Sequence, residues 1–284
     1  MDDISALRPY FIDNKCRICD CTIGGTFIWR DYHKTEYAVE DGVLFLKVAF
    51  PEPAFTPPRG ANINKGSYER IIRYCDVEGI KPQLCAVSGP VLQSIREMFP
   101  DIKLRTDRAW SDYLYESSDL VSLAGRKFSG QRNHINRFMR EYPSWSFRKI
   151  TDENIKKTRE FYEKYAREHM KDSPAYIEGD KKALEALDNF EAYRLLGGAL
   201  YIDEKIVGVS FGEIVDDTIF VHAEKADTEY HGSYPMLSHQ FVKMFVTEGI
   251  KYVNREEDDG IEGLRTSKLS YHPIELLHKY MVEL

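Results

Sequence analysis

The chain has no long hydrophobic run. Its longest apolar stretches, such as Val43–Phe50, are interrupted by a lysine. They fall far short of the about 20 residues that cross a bilayer as a helix. The amino-terminal MDDISALRPY is acidic and has no apolar core, so it does not read as a signal peptide. There is no low-complexity tract and no excess of positive charge. The formal net charge of −7 argues against wholesale binding to nucleic acid or anionic membrane, and leaves room only for a local basic patch. Cysteine is scarce at five residues, an odd number that spoils a disulfide framework. These absences predict a soluble, cytoplasmic protein without an integral membrane segment. What is present, 43% hydrophobic and 13% aromatic residues over 284 positions, suffices for two ordinary domains or one large one.

Three of the cysteines form Cys16-x-x-Cys19-x-Cys21, a spacing that invites a zinc or redox reading. No second Cys/His pair stands at zinc-ligand spacing, Cys75 and Cys85 are isolated, and His33 is alone. We read these thiols as small, partly buried side chains preceding a strand over Phe27–Trp29, and predict no metal.

Two halves emerge, 1–142 and 143–284. The first has β-rich segments at Thr26–Trp29, Thr35–Val39 and Val43–Val48, with Asp41-Gly42 as a hairpin turn between the last two. Four prolines make Phe50–Arg59 a loop. A helix over Ser67–Glu78, a strand over Gln83–Val87, a helix over Pro90–Phe99 and strands near Ile102–Leu104 and Tyr113–Tyr115 complete an α/β lobe. A linking helix over 128–142 places Ile135, Phe138, Met139 and Tyr142 on one buried face. The second half reads β-α-α-β-β-β-α-β-α-β. Its strands include Ile206–Ile214, Thr218–Glu224 and Lys251–Asn254, and its helices include Asp152–His169, Tyr234–Glu248 and Ile261–Ser270. That order is the one of the GNAT acyltransferase fold. The fold class expected is therefore α/β (α+β), tandem GNAT-like, with mixed central sheets flanked by helices.

The stretch Asn254–Pro273, NREEDDGIEGLRTSKLSYHP, concentrates chemistry. Four carboxylates, Glu256 to Asp259, run off a short apolar strand. Gly260 breaks the chain, and the following helix carries Arg265 and Lys268 three residues apart, near one face. In open α/β folds ligands bind at the carboxyl ends of strands.

Together with DYLYESSDLVSLAGRKFSGQRNHINRF (112–138) and HAEKADTEYHGSY (222–234), this stretch resembles the bacterial family grouped with the C-terminal domain of phosphatidylglycerol lysyltransferase. The resemblance runs from the Phe27-Ile28-Trp29-Arg30 region to the C-terminus. It extends more distantly to the Fem peptidoglycan aminoacyltransferases, and all of these are understood as tandem GNAT folds. It implies that fold, and by analogy an acyl- or aminoacyltransferase with aminoacyl-tRNA as donor. The acceptor is an amine or hydroxyl on a small molecule, lipid or peptide. The chain lacks the membrane-embedded part of the lysyltransferase.

Amine acylation needs the ammonium deprotonated, and a carboxylate of raised pKa does this. Glu224, Glu256 and Asp258 are the catalytic candidates. In the expected fold the strands ending at Glu224 and Asn254 splay apart into an acceptor cleft. Lys225, Arg255, Glu257, Arg265, Lys268 and Tyr271 are the substrate-binding candidates, the cations offsetting charge on a carbonyl oxygen or phosphate. The alternative is a salt-bridge network fixing strand to helix. Spacing excludes an EF-hand loop. On the linking helix, Arg132 and Arg137 contribute to a basic face that reads either as a phosphate-binding surface for tRNA or as a solvated helix. The pyrophosphate turn of GNAT enzymes, Arg/Gln-x-x-Gly-x-Gly/Ala, corresponds to Glu229–Tyr234. Only Gly232 remains there, with Ser233 as a cap and bulky Tyr234 where a small residue is wanted. Acyl-CoA is therefore disfavoured as donor, and no cofactor is predicted. The contrasting function is a non-catalytic binding protein that senses a cationic small molecule through an acidic cleft.

Overall fold

The computed structural model describes residues 3–11, 16–49, 51–168 and 174–284. Phe50 and His169, at the ends of two expected elements, lie outside them. The fold has two compact units. The first comprises Met1–Asp112, Glu257–Arg265 and Leu276–Leu284; the second comprises Tyr113–Glu256 and Thr266–Glu275. This division differs from the one expected at residue 142. The reason is strand pairing: the 112–116 strand and the helix 129–141 join the second unit, and the last strand of the chain returns to the first.

The strands in chain order are β1 (Glu36–Glu40), β2 (Val43–Val48), β3 (Ala54–Phe55), β4 (Arg59–Gly60), β5 (Gln83–Ser88), β6 (Lys103–Thr106), β7 (Asp112–Glu116), β8 (Trp145–Lys149), β9 (Leu196–Ile202), β10 (Lys205–Val215), β11 (Thr218–Ala226), β12 (Tyr252–Asn254), β13 (Glu275–Leu277) and β14 (Lys279–Glu283). The first sheet runs β1-β2-β3-β5-β14-β6, with β4 on β2. The β1–β2 hairpin turns at Asp41-Gly42, where φ is 51° and 74°, the left-handed pair a two-residue hairpin wants. The proline-rich stretch is not wholly a loop, because β3 and β4 both pair with β2. β14 lies between β5 and β6, with Val282 opposite Leu84 and Leu104. The helix Lys65–Glu78 covers this sheet. Asn64 caps it, in a reciprocal capping box with Ser67, and Gly79 ends it in the left-handed region. Its Tyr68, Ile71 and Cys75, at i, i+3 and i+7, enter the core beside Phe45 and Leu84.

The expected strand over Phe27–Trp29 is helical instead, in Ile23–Phe27 and Arg30–His33. The aromatic and β-branched residues favour a strand locally, but Thr22 overrides them. Its hydroxyl oxygen accepts the Gly25 N–H at 2.8 Å and starts a helical turn.

The second sheet runs β13-β7-β12-β11-β10-β9-β8. β11 and β12 are parallel neighbours, Thr218 opposite Tyr252 through Phe220 opposite Asn254. A bulge at Phe211/Gly212 separates β10 into two registers against β11. Helix Ser233–Phe245 packs its Met236, Leu237, Phe241 and Phe245 over β10 and β11. The helix Ser129–Glu141 buries Gln131, Ile135 and Phe138. Met139, expected on that face, is 37% exposed. Gln131 takes the inward position because its amide donates to the Ser270 carbonyl at 2.7 Å.

Candidate active site

The second unit gathers its buried polar residues where β11 and β12 part. Their pairing stops at Phe220 opposite Asn254, yet β11 continues to Ala226. Glu224 lies on β11 beyond that point, opposite Ser210 on β10. His222 is the extra residue of the bulge, between Val221 opposite Gly212 and Ala223 opposite Phe211, and it meets Glu213, which is opposite Phe220. Just past β12, the chain turns sharply. The Asn254 side chain accepts the Glu256 N–H at 2.6 Å, and Glu256 sits at φ 57°. A non-glycine residue there costs about 1–3 kcal/mol, which the surrounding bonds offset. The Glu256 carbonyl accepts the Tyr113 N–H at 3.3 Å and the Lys268 ammonium at 3.2 Å.

Two ionic groupings result. In the first, His222 lies between two carboxylates: Nε2 is 2.9 Å from Glu213 and Nδ1 is 2.7 Å from Glu256. Burial alone would depress the imidazole, but the two carboxylate hydrogen bonds outweigh it and hold the ring up at about 10. Both ring nitrogens then carry protons and donate. In the second grouping, the Arg255 guanidinium reaches both oxygens of Glu224 at 3.4 Å and lies 4.9 Å over the Tyr271 ring. Burial pushes the Glu224 carboxyl up, and Arg255, Lys268 and a hydrogen bond from Ser238 oppose the rise without cancelling it. Arg255 Nη1 is buried without a hydrogen-bond partner. A buried donor left unmet costs roughly 1–3 kcal/mol, so it is a place where an acceptor oxygen is favoured.

The other expected site residues fall elsewhere. Lys225 alternates to the face opposite Glu224 and pairs with Asp180 at 3.2 Å. Glu257, Asp258 and Arg265 belong to the first unit. There Asp258 is fully buried, held by Arg265 Nε and Nη2, each at 3.0 Å, and by Arg108 at 2.6 Å. Glu257 contacts the Lys279 ammonium at 2.9 Å, which also meets Asp20 at 2.7 Å and Asp112 at 2.8 Å. Cys19, Asp112 and Glu257 bring potential metal-ligand atoms within 4.8 Å of one another, and Lys279 supplies the positive charge among them. Arg132 clasps the carbonyls of Leu123 and Gly125, and Arg137 pairs with Glu141 at 2.6 Å, one turn along its own helix. Gly232 stands at φ 84° before helix Ser233–Phe245. The Ser233 hydroxyl donates to the Asp227 carbonyl at 2.7 Å rather than capping the helix. His222 and Glu213 escaped the sequence reading. Neither carries a local signal: His222 is the extra residue of the β11 bulge, and its meeting with Glu213 depends on the β10–β11 register.

Two outcomes follow from this geometry. Below about 6.5, the pKa of a free imidazole, both folded and unfolded states hold the His222 proton and its contribution to stability is complete. As pH rises from there toward 10, the unfolded state loses that proton first, so stability falls across this window. Imidazole NMR checks this, and Glu256→Gln is expected to lower the titration point; a ring titrating near 6.5 in the native protein contradicts it. Separately, Gly232→Ala places a Cβ 2.6 Å from the His134 carbonyl oxygen at a φ that disfavours it. Denaturant unfolding is expected to show a loss on the order of 1–3 kcal/mol. An unchanged midpoint means that the close approach is not retained.

Comparison with known proteins places the chain. Residues 17–283 match the family described as phosphatidylglycerol lysyltransferase, C-terminal. A conserved protein of unknown function from Bacteroides thetaiotaomicron has a crystal structure that superposes with a TM-score of 0.91 at 34% identity, covering 100% of this chain and 97% of that one. The C-terminal domain of a putative lysylphosphatidylglycerol synthetase from Agrobacterium fabrum gives a TM-score of 0.71 at 11% identity, covering 99% and 91%. An uncharacterized protein of Mycoplasmoides gallisepticum is 26% identical over 176 residues, 61% of this chain; the match spans 56% of that relative's length. The fold is mixed α/β, with two mixed sheets flanked by helices, and is shared with that synthetase domain; among the described residues no helix is long and apolar enough to cross a membrane. The chain belongs to the family of the phosphatidylglycerol lysyltransferase C-terminal domain.

Proposed function

We propose that the chain is an aminoacyltransferase that moves an aminoacyl group from aminoacyl-tRNA to an amine or hydroxyl acceptor. Membership of a lysyltransferase family supports group transfer in general. The observation that carries the assignment of the site is the Glu224–Arg255 pair, buried at the parting of β11 and β12, with Arg255 Nη1 unmet. In the reaction the acceptor nitrogen or oxygen attacks the ester carbonyl and the new bond forms. The carbonyl oxygen becomes an oxyanion, and the bond to the ribose oxygen then breaks. Glu224, whose carboxyl is raised by burial, takes the acceptor's proton and gives it to the departing ribose oxygen, which leaves as the hydroxyl of the tRNA. Arg255 donates to the oxyanion. Tyr271 and Lys268 hold Arg255 and the Glu256 turn in place. Asp258 stays outside this chemistry, because two guanidiniums occupy its oxygens.

The start of helix Ser233–Phe245 supports tRNA over acyl-CoA as donor. A pyrophosphate needs a run of free backbone N–H groups. Here the Ser233 N–H is spent on the Tyr230 carbonyl at 3.0 Å, and the Gly232 backbone is closed against His134. Lysyl-tRNA carrying labelled lysine, offered with phosphatidylglycerol vesicles in one arm and a soluble primary amine in the other, tests the proposal. Label in either acceptor is the expected result. No transfer in either arm, together with micromolar binding of acetyl-CoA by calorimetry, rejects it.

A further inference from the structure

The Cys16-x-x-Cys19-x-Cys21 motif is unused by the transfer chemistry, and the fold divides its three thiols between two tasks. Cys19 turns to Lys279, with its sulfur 3.2 Å from the ammonium. Cys16 and Cys21 turn to each other, with sulfurs 2.7 Å apart. The 3-10 turn Cys19–Cys21 produces this split: the Cys21 N–H donates to the Ile18 carbonyl at 3.0 Å and brings Cys21 back beside Cys16. Cys21 is buried, whereas Cys16 keeps partial exposure. Of the two, Cys16 is the more accessible residue.

A second observation bears on the same place. Arg59, on β4, is only 7% exposed. One Nη donates to the Asp20 carbonyl at 2.8 Å, and the guanidinium lies 4.4 Å from the centre of the Phe11 ring. Its Nε and other Nη have no hydrogen-bond partner. A buried cation with two unmet donors calls for an anion, and its bond to the Asp20 carbonyl, next to Cys21, keeps its charge beside the cysteine pair. The hydrogen bond from Cys21 is the largest influence on the Cys16 thiol, with Ser88 and Arg59 adding to it against burial, and holds it down at about 6; the Cys21 thiol is pushed up. The two cysteines thus differ in the way a nucleophile and its resolving partner differ.

We propose that Cys16 and Cys21 are a redox-sensitive pair that closes to a disulfide on exposure to a hydroperoxide, with Arg59 as the positioning cation for the Cys16 thiolate. With hydrogen peroxide, the Cys16 sulfur attacks one oxygen; the S–O bond forms, the O–O bond breaks, and the departing oxygen takes up the proton given up by the Cys16 thiol and leaves as water. Cys21 then attacks the Cys16 sulfur. The S–S bond forms, the S–O bond breaks, and the Cys21 proton leaves with the hydroxide as a second water. Two thiols lose two electrons and one peroxide gains them. A dithiol reductant reverses the step.

The test uses the whole chain and hydrogen peroxide. The expected result is an intact mass lower by two hydrogens, a cross-linked Cys16–Cys21 fragment in the peptide map, and recovery with dithiothreitol. Cys21→Ser is expected to stall at a Cys16 sulfenic acid trapped by dimedone. Before oxidation, Cys16 is expected to alkylate at pH 7 at least about tenfold faster than Cys85, whose thiol burial pushes up to about 12. Arg59→Gln should slow Cys16 alkylation several-fold and move its pH profile upward. Cross-linking through Cys19, or Cys16 alkylation as slow as that of Cys85, overturns the proposal.

Discussion

Lys279→Met is expected to destabilise the first unit by on the order of 3–5 kcal/mol. The wild-type ammonium is buried on β14 among Asp20, Asp112, Glu257 and Cys19. Removing it leaves three carboxylates facing one another with no cation among them. Asp112 feels this most, since it is fully buried and its oxygens also meet the Cys19 N–H at 2.6 Å. Burial raises its carboxyl to about 8 even with Lys279 opposing the rise. A carboxyl raised in the folded state binds its proton more tightly than the unfolded chain does. Its contribution to stability is complete below about 4 and is lost as pH rises toward 8. The deficit of Lys279→Met is therefore expected to be larger at pH 8 than at pH 5. Adding Asp112→Asn should recover part of it in a double-mutant cycle. Denaturant midpoints at the two pH values check this; an unchanged midpoint at pH 8 means that the cluster contributes no stability.

Glu224→Gln is expected to lower transfer by about 10²–10⁴, the range for loss of a general base. The substitution also removes the partner of a buried guanidinium, so turnover is compared per folded molecule, with unfolding measured on the same sample. Arg255→Lys keeps the charge but loses the planar guanidinium, whose Nη2 reaches both Glu224 oxygens and whose Nη1 is left for the oxyanion. It is expected to lose rate as well. A Glu224→Gln protein that is destabilised yet turns over at the wild-type rate leaves the pair as a structural clamp.

The elements that sequence made legible are those set by local pattern. The Asp41-Gly42 hairpin and the end of the helix before Gly79 follow from turn chemistry, and the parallel partnership of Thr218–Glu224 with Lys251–Asn254 follows from the GNAT-like order of elements. The helix Ile23–Phe27 was hidden because one threonine cap outweighs strand propensity spread over four residues. The return of β14 to a place between β5 and β6 was hidden for another reason: its partners lie more than 170 residues away, and no local signal reports such pairing.

The candidate site was legible to a similar depth. The acid run after β12 was visible as a run, but its members separate. Glu256, at a left-handed φ, turns to His222 in the second unit. Glu257 and Asp258 enter the first and meet Lys279, Arg265 and Arg108. Adjacent residues in a sharp turn point in different directions, and only the fold says which. Glu224 and Arg255 were named singly; their pairing follows from β11 running on after β12 has stopped.

The central claim is that Glu224 and Arg255 form the site of an aminoacyl transfer. Its most direct test is single-turnover transfer of labelled lysine from lysyl-tRNA to phosphatidylglycerol vesicles or a soluble primary amine, comparing wild type with Glu224→Gln under conditions where both are folded. Acceptor-bound label is expected with the wild type, and a loss of at least about 10² in rate with the variant. Equal rates for the two folded proteins, or no transfer by the wild type to either acceptor, would contradict it.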